Sequence, residues 1–431
     1  MFGRTISLYR NAYSGLSRST WLLSFVMLIN RSGTMVIPFM TIYLTQPSMG
    51  YSISEAGVVM GIFGFGAVCG GFLGGRLTDR IGFHRVQLIT LAGGGLLFMV
   101  LGQMKSYPLI CGFTFLLSLI NEAFRPANST AIAWYSTEEN RTRSFSLNRL
   151  SVNLGWAVGG AIGGVLASIN YHLLFWVDGS TNILAMLLLR YYLGTAENPD
   201  TGTKIHPQHP QTGKSGAAAT VGKGEEPATA GKENRPRMTS PYKDKVFLQY
   251  LGLTILLASC FFQLISTIPL YYKKELQLSE YMIGMLMAFN GLLIACFEMV
   301  LVFKIEGRKA NLFYISCGAG LIGCSFLMLN ILPPSLVCAF FCMAIITSGE
   351  ITSMPFMASY WISRTGTANR GQYAGLNTMA WSTAQVIGPS VGAQVAQYLG
   401  FRTLWWGAGA GCLLAAVGYR RLLLNKRAEH E

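Results

Sequence analysis

Long runs of apolar residues recur along almost the whole chain and constrain its fold more than any other feature. A helix needs about 20 apolar residues to cross a hydrocarbon core roughly 30 Å thick. A backbone in lipid must satisfy its own hydrogen bonds, so only helices and closed barrels span a membrane. The runs are continuous rather than alternating, which favours helices. Charged residues make up only 12% of the chain, against about 25% in soluble domains, so most of the surface does not face water.

The apolar runs predict an all-α membrane protein with twelve transmembrane helices. The predicted spans, numbered one to twelve, are residues 19–45, 54–74, 87–104, 108–134, 145–168, 172–194, 246–272, 280–303, 311–331, 335–361, 372–398 and 402–424. All nine cysteines lie inside these runs, and none forms a CxxC pair. We therefore interpret them as small apolar side chains and expect no disulfide, metal site or cofactor.

Lysine and arginine residues are unevenly divided between the two sets of loops. One set, together with both tails, carries most of them, whereas the other set holds only Lys105, Lys273, Lys274 and Arg402. Cytoplasmic loops of membrane proteins carry an excess of Lys and Arg. The distribution therefore predicts that both termini are cytoplasmic. It also explains most of the net charge of +14 without a nucleic-acid partner.

Residues 195–243 differ from the rest of the chain. They are rich in Gly, Pro, Thr, Lys and Glu and almost free of large apolar residues. Because such a segment cannot bury a core, its composition predicts a disordered cytoplasmic linker. A regulatory or partner-binding loop is the alternative. The linker divides the chain into one six-helix bundle at residues 1–194 and a second at residues 244–431.

The two halves share a residue pattern that indicates an internal duplication. Several positions recur at one constant offset: Asn148 and Asn377, Gly159 and Gly388, Gly163 and Gly392, and Trp176 and Trp405. Chance matching in a glycine-rich chain is the alternative, and the matched Asn and Trp argue against it. Parallel six-helix repeats are the plan of one large class of transporters.

A resemblance to a known family lies between spans two and three. The residues there are Gly75-Arg76-Leu77-Thr78-Asp79-Arg80-Ile81-Gly82-Phe83-His84-Arg85. This sequence closely resembles the signature loop of the major facilitator superfamily, and with the repeat and the spans the resemblance covers essentially the whole chain. It implies two six-helix bundles related by pseudo-two-fold symmetry that rock around a site at mid-membrane. It also implies that spans one, four, seven and ten line the central cavity.

The signature loop supplies candidate gating residues, which are Gly75, Asp79, Arg80, Gly82 and Arg85. Gly75 and Gly82 allow a tight turn between two helices. Asp79 can accept hydrogen bonds from the N-terminus of a neighbouring helix, where the helix dipole favours an anion. The resemblance implies that this neighbour is helix eleven and that the contact latches the cytoplasmic side closed. A merely solvated, charged turn is the alternative.

Helix five carries a stripe of small residues on one face, at Gly155, Gly159 and Gly163. The stripe resembles the helix-five motif of drug-proton antiporters. It departs from that motif because Gly160 stands where the family usually has proline, whereas the second half keeps Gly388-Pro389. Close packing of helices through small residues is therefore the alternative interpretation.

Five charged residues on the predicted spans are candidates for transport, because ionisable groups at membrane depth are costly and usually functional. They are Arg31, Glu122, Arg125, Glu298 and Glu350, with possible polar support from Asn30, Gln263 and Asn290. We hypothesise that one of the three glutamates carries a coupling proton. Arg31 or Arg125 then binds substrate or competes with the proton. A fixed ion pair between Glu122 and Arg125, three residues apart on one helix, is the alternative.

Two other charges have structural interpretations. Asp178 lies within helix six, and we predict that it pairs with a structural partner that the sequence does not identify. Arg149, towards the start of helix five, is interpreted as an anchor at the membrane surface.

Transport is the function that this pattern favours. The sequence has no nucleophile-elbow, Walker or HExxH motif, so an enzyme is not expected. A channel or a substrate-sensing receptor on a transporter fold is a further alternative. Arg31-Ser32-Gly33 before Pro38, and Arg125-Pro126, look like bacterial drug-efflux members.

The resemblance therefore predicts a monomeric transporter in a bacterial inner membrane, with a small molecule, protons and the lipid bilayer as partners. Proton-coupled export by antiport is the first expectation, and proton-coupled uptake of a sugar, organic acid or peptide is the alternative. Two cavity arginines favour anionic or zwitterionic substrates over cationic ones.

Overall fold

The computed structural model describes residues 15–137, 140–193, 241–305, 307–364 and 370–428. The described residues form long helices without a strand: α1 (Arg18–Ser32 and Val36–Thr45), α2 (Ile53–Ile81), α3 (Phe83–Leu101), α4 (Tyr107–Trp134), α5 (Arg141–Ile169), α6 (Tyr171–Leu193), α7 (Lys245–Phe261, Gln263–Ser266 and Ile268–Lys274), α8 (Glu280–Ile305), α9 (Asn311–Ile331), α10 (Leu336–Ser363), α11 (Arg370–Tyr398) and α12 (Gly400–Ala428). Residues 194–240, which include most of the predicted linker, lie outside the described residues. Pro241–Lys243 form one turn of 3₁₀ helix.

Within the described residues, ten helices are long and apolar enough to cross a membrane. The prediction of an all-α, multi-pass membrane protein is thereby confirmed. Helices α11 and α12 are also long, at 29 residues each, but they are less apolar. One reason is that α11 carries the polar residues Asn377, Thr378, Ser382 and Gln385 along one internal face. The count of twelve spans stays a prediction.

The turn between α2 and α3 depends on one glycine rather than two. Gly82 has a φ of +83°, in the left-handed region that favours glycine. Helix α2 continues through Gly75 to Ile81, so the prediction that Gly75 forms part of the turn is wrong. The corresponding turn between α8 and α9 contains Gly307 with a φ of +75°.

Helix α1 is broken between Ser32 and Val36. A helix break leaves backbone N–H groups without an intrahelical acceptor. Here the carboxylate of Asp178 on α6, which is fully buried, accepts hydrogen bonds from the N–H of Met35 at 3.0 and 3.1 Å and from that of Val36 at 2.9 Å. The partner that the sequence left open for Asp178 is therefore the backbone of α1.

We predict that Asp178→Ala destabilises the protein, because it leaves two buried N–H groups of α1 without an acceptor. An unsatisfied buried polar group costs roughly 1–3 kcal/mol, so the midpoint of thermal unfolding in detergent is expected to fall by several degrees. Asp178→Asn keeps one acceptor oxygen and is expected to lose less. Glu275→Ala, which removes an exposed carboxylate, is the control. An Asp178→Ala variant as stable as the wild type contradicts this account.

Candidate functional site

A cavity of about 630 Å³ lies between the two halves of the chain. Residues of α1 to α6 line one side, and residues of α7 and α11 line the other. Among the predicted site residues, Asn30, Arg31, Glu122 and Arg125 line it. Helix α10 contributes no described residue to this lining, so the expectation that it faces the cavity does not hold for this conformation.

The cavity lining contains three charged side chains, and only two of them are paired. Arg125 and Glu122 form an ion pair of 2.9 Å on consecutive turns of α4, with the glutamate 15% and the arginine 71% exposed. This is the pair that the sequence offered as an alternative to a proton site. Arg31 is different, because its buried Nε has no hydrogen-bond partner among the described residues. Glu122 also lies close enough to interact with the charge of Arg31, so one carboxylate serves two arginines and the lining carries one excess positive charge.

Amides and aromatic rings make up much of the remaining lining. Asn128 joins α3 to α5, since its Oδ1 accepts from Gln87 at 3.4 Å and its Nδ2 donates to Asn148 at 3.3 Å. Asn377 on α11 presents a buried Oδ1 that has no partner among the described residues. These amides were not among the predicted site residues, although the repeat includes Asn148 and Asn377. The cavity tryptophans, Trp156 and Trp381, were not predicted either.

A second group of charges lies outside the cavity lining, where α5, α8 and α10 meet. Arg149 of α5 forms an ion pair with Glu298 of α8, whose side chain is 8% exposed. Asn290 of α8 donates to Thr347 at 2.9 Å and to Glu350 at 3.2 Å, both on α10. The predictions for Glu298, Glu350 and Asn290 thus fall together in one cluster, which we name the lateral cluster. Glu350 lies close enough to Glu298 and Arg149 to interact with their charges.

The interpretation of Arg149 as an anchor at the membrane surface stays a prediction. Arg149 lies about 12 Å along α5 from the first residue of the helix, at a rise of about 1.5 Å per residue. Its side chain is 46% exposed, and its guanidinium pairs with Glu298. The lateral ion pair therefore joins the first half of the chain to the second.

Gln263 stabilises a break in α7 and does not line the cavity. Its side chain is buried, donates to the carbonyl oxygen of Gly388 at 2.7 Å and accepts from the hydroxyl of Thr267 at 2.7 Å. A Cβ at Gly388 would lie 2.6 Å from the carbonyl oxygen of Ser259, so α7 and α11 approach closely beside Pro389. Both the donor and the acceptor of the Gln263 amide therefore have hydrogen-bond partners within the protein.

The glycines of α5 pack against two different helices. Gly155, Gly159 and Gly163 face α1, where a Cβ would lie 2.5 Å from the Cβ of Arg31, 3.0 Å from the carbonyl oxygen of Ser32 and 3.1 Å from the Cβ of Met35, respectively. Gly160 and Gly164 face α8 in the other half. The stripe thus holds α5 against the break in α1, and the neighbouring glycines hold it against the second half.

Close contacts between the two halves cover the face of the molecule opposite the chain termini. A Cβ at Gly57 of α2 would lie 2.1 Å from the Cβ of Ala393 on α11. A Cβ at Gly164 of α5 would lie 2.8 Å from the Cα of Gly284 on α8. These contacts involve the first turns of α2 and α8 and the last turns of α5 and α11, and near this face Tyr171 donates to Glu280 at 2.7 Å.

Towards the other face α2 and α11 part, whereas α5 and α8 stay in contact as far as the ion pair of Arg149 and Glu298. Helix α11 contacts α2 as far as Gln385, which lies against Gly64. Between Asn377 and Gln385 it lines the cavity instead. The cavity is therefore closed at the face opposite the termini and opens towards the face that carries them.

The gating residues lie on this open side. Asp79 and Arg80 are exposed on the last turn of α2, and Arg85 is exposed on the first turn of α3. Residues 365–369, which precede α11, lie outside the described residues. The contact between Asp79 and helix eleven therefore stays a prediction, and the family resemblance assigns it to the conformation that is closed on this side.

Comparisons with known proteins give one consistent family. The family model of the Major Facilitator Superfamily matches residues 20–389. The Na(+), Li(+), K(+)/H(+) antiporter of Planococcus maritimus is 25% identical over 91% of this chain and 92% of its own length. The multidrug resistance protein MdtG of Proteus mirabilis is 29% identical over 34% of this chain and 36% of its own. A POT family transporter in complex with 5-aminolevulinic acid has a TM-score of 0.75 at 15% identity, covering 94% of this chain and 96% of that one, which shows the fold alone.

We predict that Gly284→Leu prevents the closed face from forming, because the added side chain has to displace the backbone of α5 at Gly164. Spin labels at Ser48 and Glu275, which are exposed near this face in different halves, report the separation in a cysteine-free background. The distance between them is expected to increase by several ångströms. Gly252→Leu, at a glycine with open space around its Cβ position, is the control. Unchanged distances in Gly284→Leu contradict the packing described here.

Proposed function

The chain belongs to the Major Facilitator Superfamily, and we propose that it moves a small organic molecule out of the cell in exchange for protons. This is a family of transporters rather than enzymes. The cavity is exposed alternately to the two sides of the membrane as the bundles rock around it. We place the protein in a bacterial inner membrane as a monomer of twelve spans, with both termini cytoplasmic. The conformation described above then faces the cytoplasm.

The contacts between the halves support a pseudo-two-fold arrangement. The contact between Gly57 and Ala393 has a counterpart in the contact between Gly284 and Gly164. Gly284 stands in the second half where Gly57 stands in the first, and Ala393 stands where Gly164 does. Two equivalent contacts of this kind are what a duplicated bundle packed against its copy would make.

The lateral ion pair is the observation that carries the proposal of proton coupling. Arg149 and Glu298 belong to different bundles, and the glutamate is largely buried. A proton on Glu298 neutralises the carboxylate and removes an attraction between the bundles, which solvent screens in part because the Arg149 side chain is 46% exposed. A ligand shifts a conformational equilibrium only by binding one state better than the other. A proton at this position meets that condition.

The other two glutamates have different positions relative to the bundle interface. Glu350 is held by Asn290 and lies near the lateral ion pair, so it offers a second proton acceptor in the same cluster. Glu122 pairs with Arg125 on its own helix. Protonation of Glu122 therefore breaks no contact between bundles, and we assign Glu122 to the substrate cavity.

The relatives support antiport, and the cavity supports an organic substrate. One relative that matches along nine-tenths of its length is named as a cation/proton antiporter, and another is named as a multidrug resistance protein. The described lining of the cavity carries one excess positive charge, which disfavours an inorganic cation as cargo. Export of an organic molecule against protons is consistent with both observations.

Transport in proteoliposomes tests the proposal. Vesicles with an acidic interior and an interior pH dye are exposed to a panel of drugs, sugars, peptides and organic anions. Antiport predicts that entry of a substrate raises the interior pH, because protons leave as it enters. A further fall in the interior pH on substrate entry shows that protons move with the substrate, which contradicts export by antiport and favours an uptake symporter.

We predict that Glu298→Gln slows transport driven by a pH gradient at least tenfold while substrate exchange without a gradient continues. The amide keeps the shape of the side chain and cannot exchange a proton, and a tenfold change corresponds to about 1.4 kcal/mol. Glu275→Gln, at an exposed acid outside the lateral cluster, is the control. If Glu298→Gln keeps full gradient-driven transport and Glu122→Gln loses it, the coupling proton binds in the cavity instead.

A further inference from the structure

Two buried polar atoms on opposite walls of the cavity have no hydrogen-bond partner among the described residues. They are Nε of Arg31 on α1 and Oδ1 of Asn377 on α11. Arginine can only donate hydrogen bonds, whereas the amide oxygen can only accept them. Buried polar groups are almost always hydrogen-bonded, and each exception requires an explanation. Here the two exceptions are one donor and one acceptor, and a ligand that accepts at one end and donates at the other would satisfy both.

The charge of Arg31 specifies the accepting end further. The carboxylate in the same lining, Glu122, pairs with Arg125 and also lies close enough to interact with the charge of Arg31. One carboxylate therefore serves two arginines. A buried charge is costly unless it is fully paired, and a guanidinium matches a carboxylate through two parallel hydrogen bonds. A carboxylate on the ligand therefore satisfies both the charge and the orphaned donor.

The backbone of α1 holds Arg31 in a fixed position. Gly155 of α5 lies against it so closely that a Cβ there would be 2.5 Å from the Cβ of Arg31. On the next turn of α1 the break is held by the buried carboxylate of Asp178. The start of the arginine side chain is thus set by two neighbouring helices, which preorganises the guanidinium towards the cavity.

The acceptor on the other wall stands beside an aromatic ring. Trp381 follows Asn377 by four residues on α11, so the two side chains share a helix face. Trp156 of α5 lines the cavity from the first half. A cavity of about 630 Å³ lies within the usual range for small-molecule sites. Between the two polar ends there is therefore an apolar environment for the body of a ligand.

We propose that the cavity binds a small amphipathic carboxylate that also carries a hydrogen-bond donor. Its carboxylate pairs with Arg31, its donor reaches Oδ1 of Asn377, and its apolar body lies against Trp156 and Trp381. This rests on the proposed function, since it takes the cavity as the transport site. A ligand held at both ends joins α1 of one bundle to α11 of the other, so its binding affects the separation of the bundles.

Binding of four matched probes to the purified protein tests the proposal. They are 3-(4-hydroxyphenyl)propionic acid, its methyl ester, 3-(4-methoxyphenyl)propionic acid and tyramine. The first carries both polar groups, the ester lacks the carboxylate, the methoxy acid lacks the donor, and tyramine replaces the carboxylate by a cation. Isothermal titration calorimetry is expected to rank the hydroxy acid first, with the ester and tyramine about tenfold or more weaker, because hydrogen bonds to charged groups contribute about 1.5–3 kcal/mol.

Two variants separate the two ends of the site. Arg31→Gln is expected to bind the hydroxy acid and its ester equally, while Arg31→Lys retains part of the preference for the acid. Asn377→Leu is expected to bind the hydroxy and methoxy acids equally and to keep the preference for acid over ester. Loss of helix packing does not produce this pair of selective changes. Arg402→Gln, on the opposite face of the molecule, is the control, and thermal midpoints establish that each variant is folded.

The outcomes separate this proposal from the proposed function. Three outcomes overturn the carboxylate site. Tyramine or the ester binds more strongly than the hydroxy acid, neither acid binds at millimolar concentration, or Arg31→Gln keeps the wild-type preference for the acid over its ester. Such a result leaves proton antiport standing if proteoliposomes exchange protons for another substrate. Conversely, symport in proteoliposomes with the predicted Arg31 pattern overturns export and supports the site.

Discussion

The absence of water in the bilayer core is the constraint on which the rest of this structure depends. Polar groups at membrane depth must find partners inside the protein. Asp178 and Gln263 each satisfy backbone groups, the former at the break in α1 and the latter between α7 and α11. Other charged groups satisfy each other, as Arg149 does with Glu298. Two of the polar atoms left without a partner among the described residues, Nε of Arg31 and Oδ1 of Asn377, lie on residues that line the cavity.

Helix α5 connects that site to the interface between the bundles. One set of its glycines lies against α1 at Arg31, and a second set lies against α8. Arg149 on the same helix forms the lateral ion pair with Glu298. A change in charge at the lateral cluster and a ligand in the cavity therefore act on the same helix. Because α5 is packed through glycine on both sides, a movement of α5 would displace both neighbours, and the proposed protonation of Glu298 would reach the cavity through this helix.

The sequence predicted the helices well because continuous apolar runs are a local signal. It did not predict the breaks in α1 and α7. The polar interruptions there, Ser32-Gly33-Thr34 and Ser266-Thr267, are short, and the compensating groups, Asp178 and Gln263, bond to backbone far away in the chain. The sequence identified charged residues at membrane depth. It did not show which of them form ion pairs, because the paired helices are far apart in the chain. Glu350 was therefore expected in the cavity and lies in the lateral cluster instead. Asn377 could be recognised in the sequence as part of the repeat. Its proposed role could not be predicted, because it depends on which amide lacks a hydrogen-bond partner in the folded protein.

The most direct test of the central claim is the pH dependence of the distance between the two bundles. Spin labels at Ser48 and Glu275 report this distance in the wild type and in Glu298→Gln. If a proton on Glu298 shifts the bundles, acidification changes the distance distribution of the wild type, and Glu298→Gln shows the acidic distribution at every pH. If Glu298→Gln responds to pH as the wild type does, the lateral ion pair does not couple protons to the movement of the bundles.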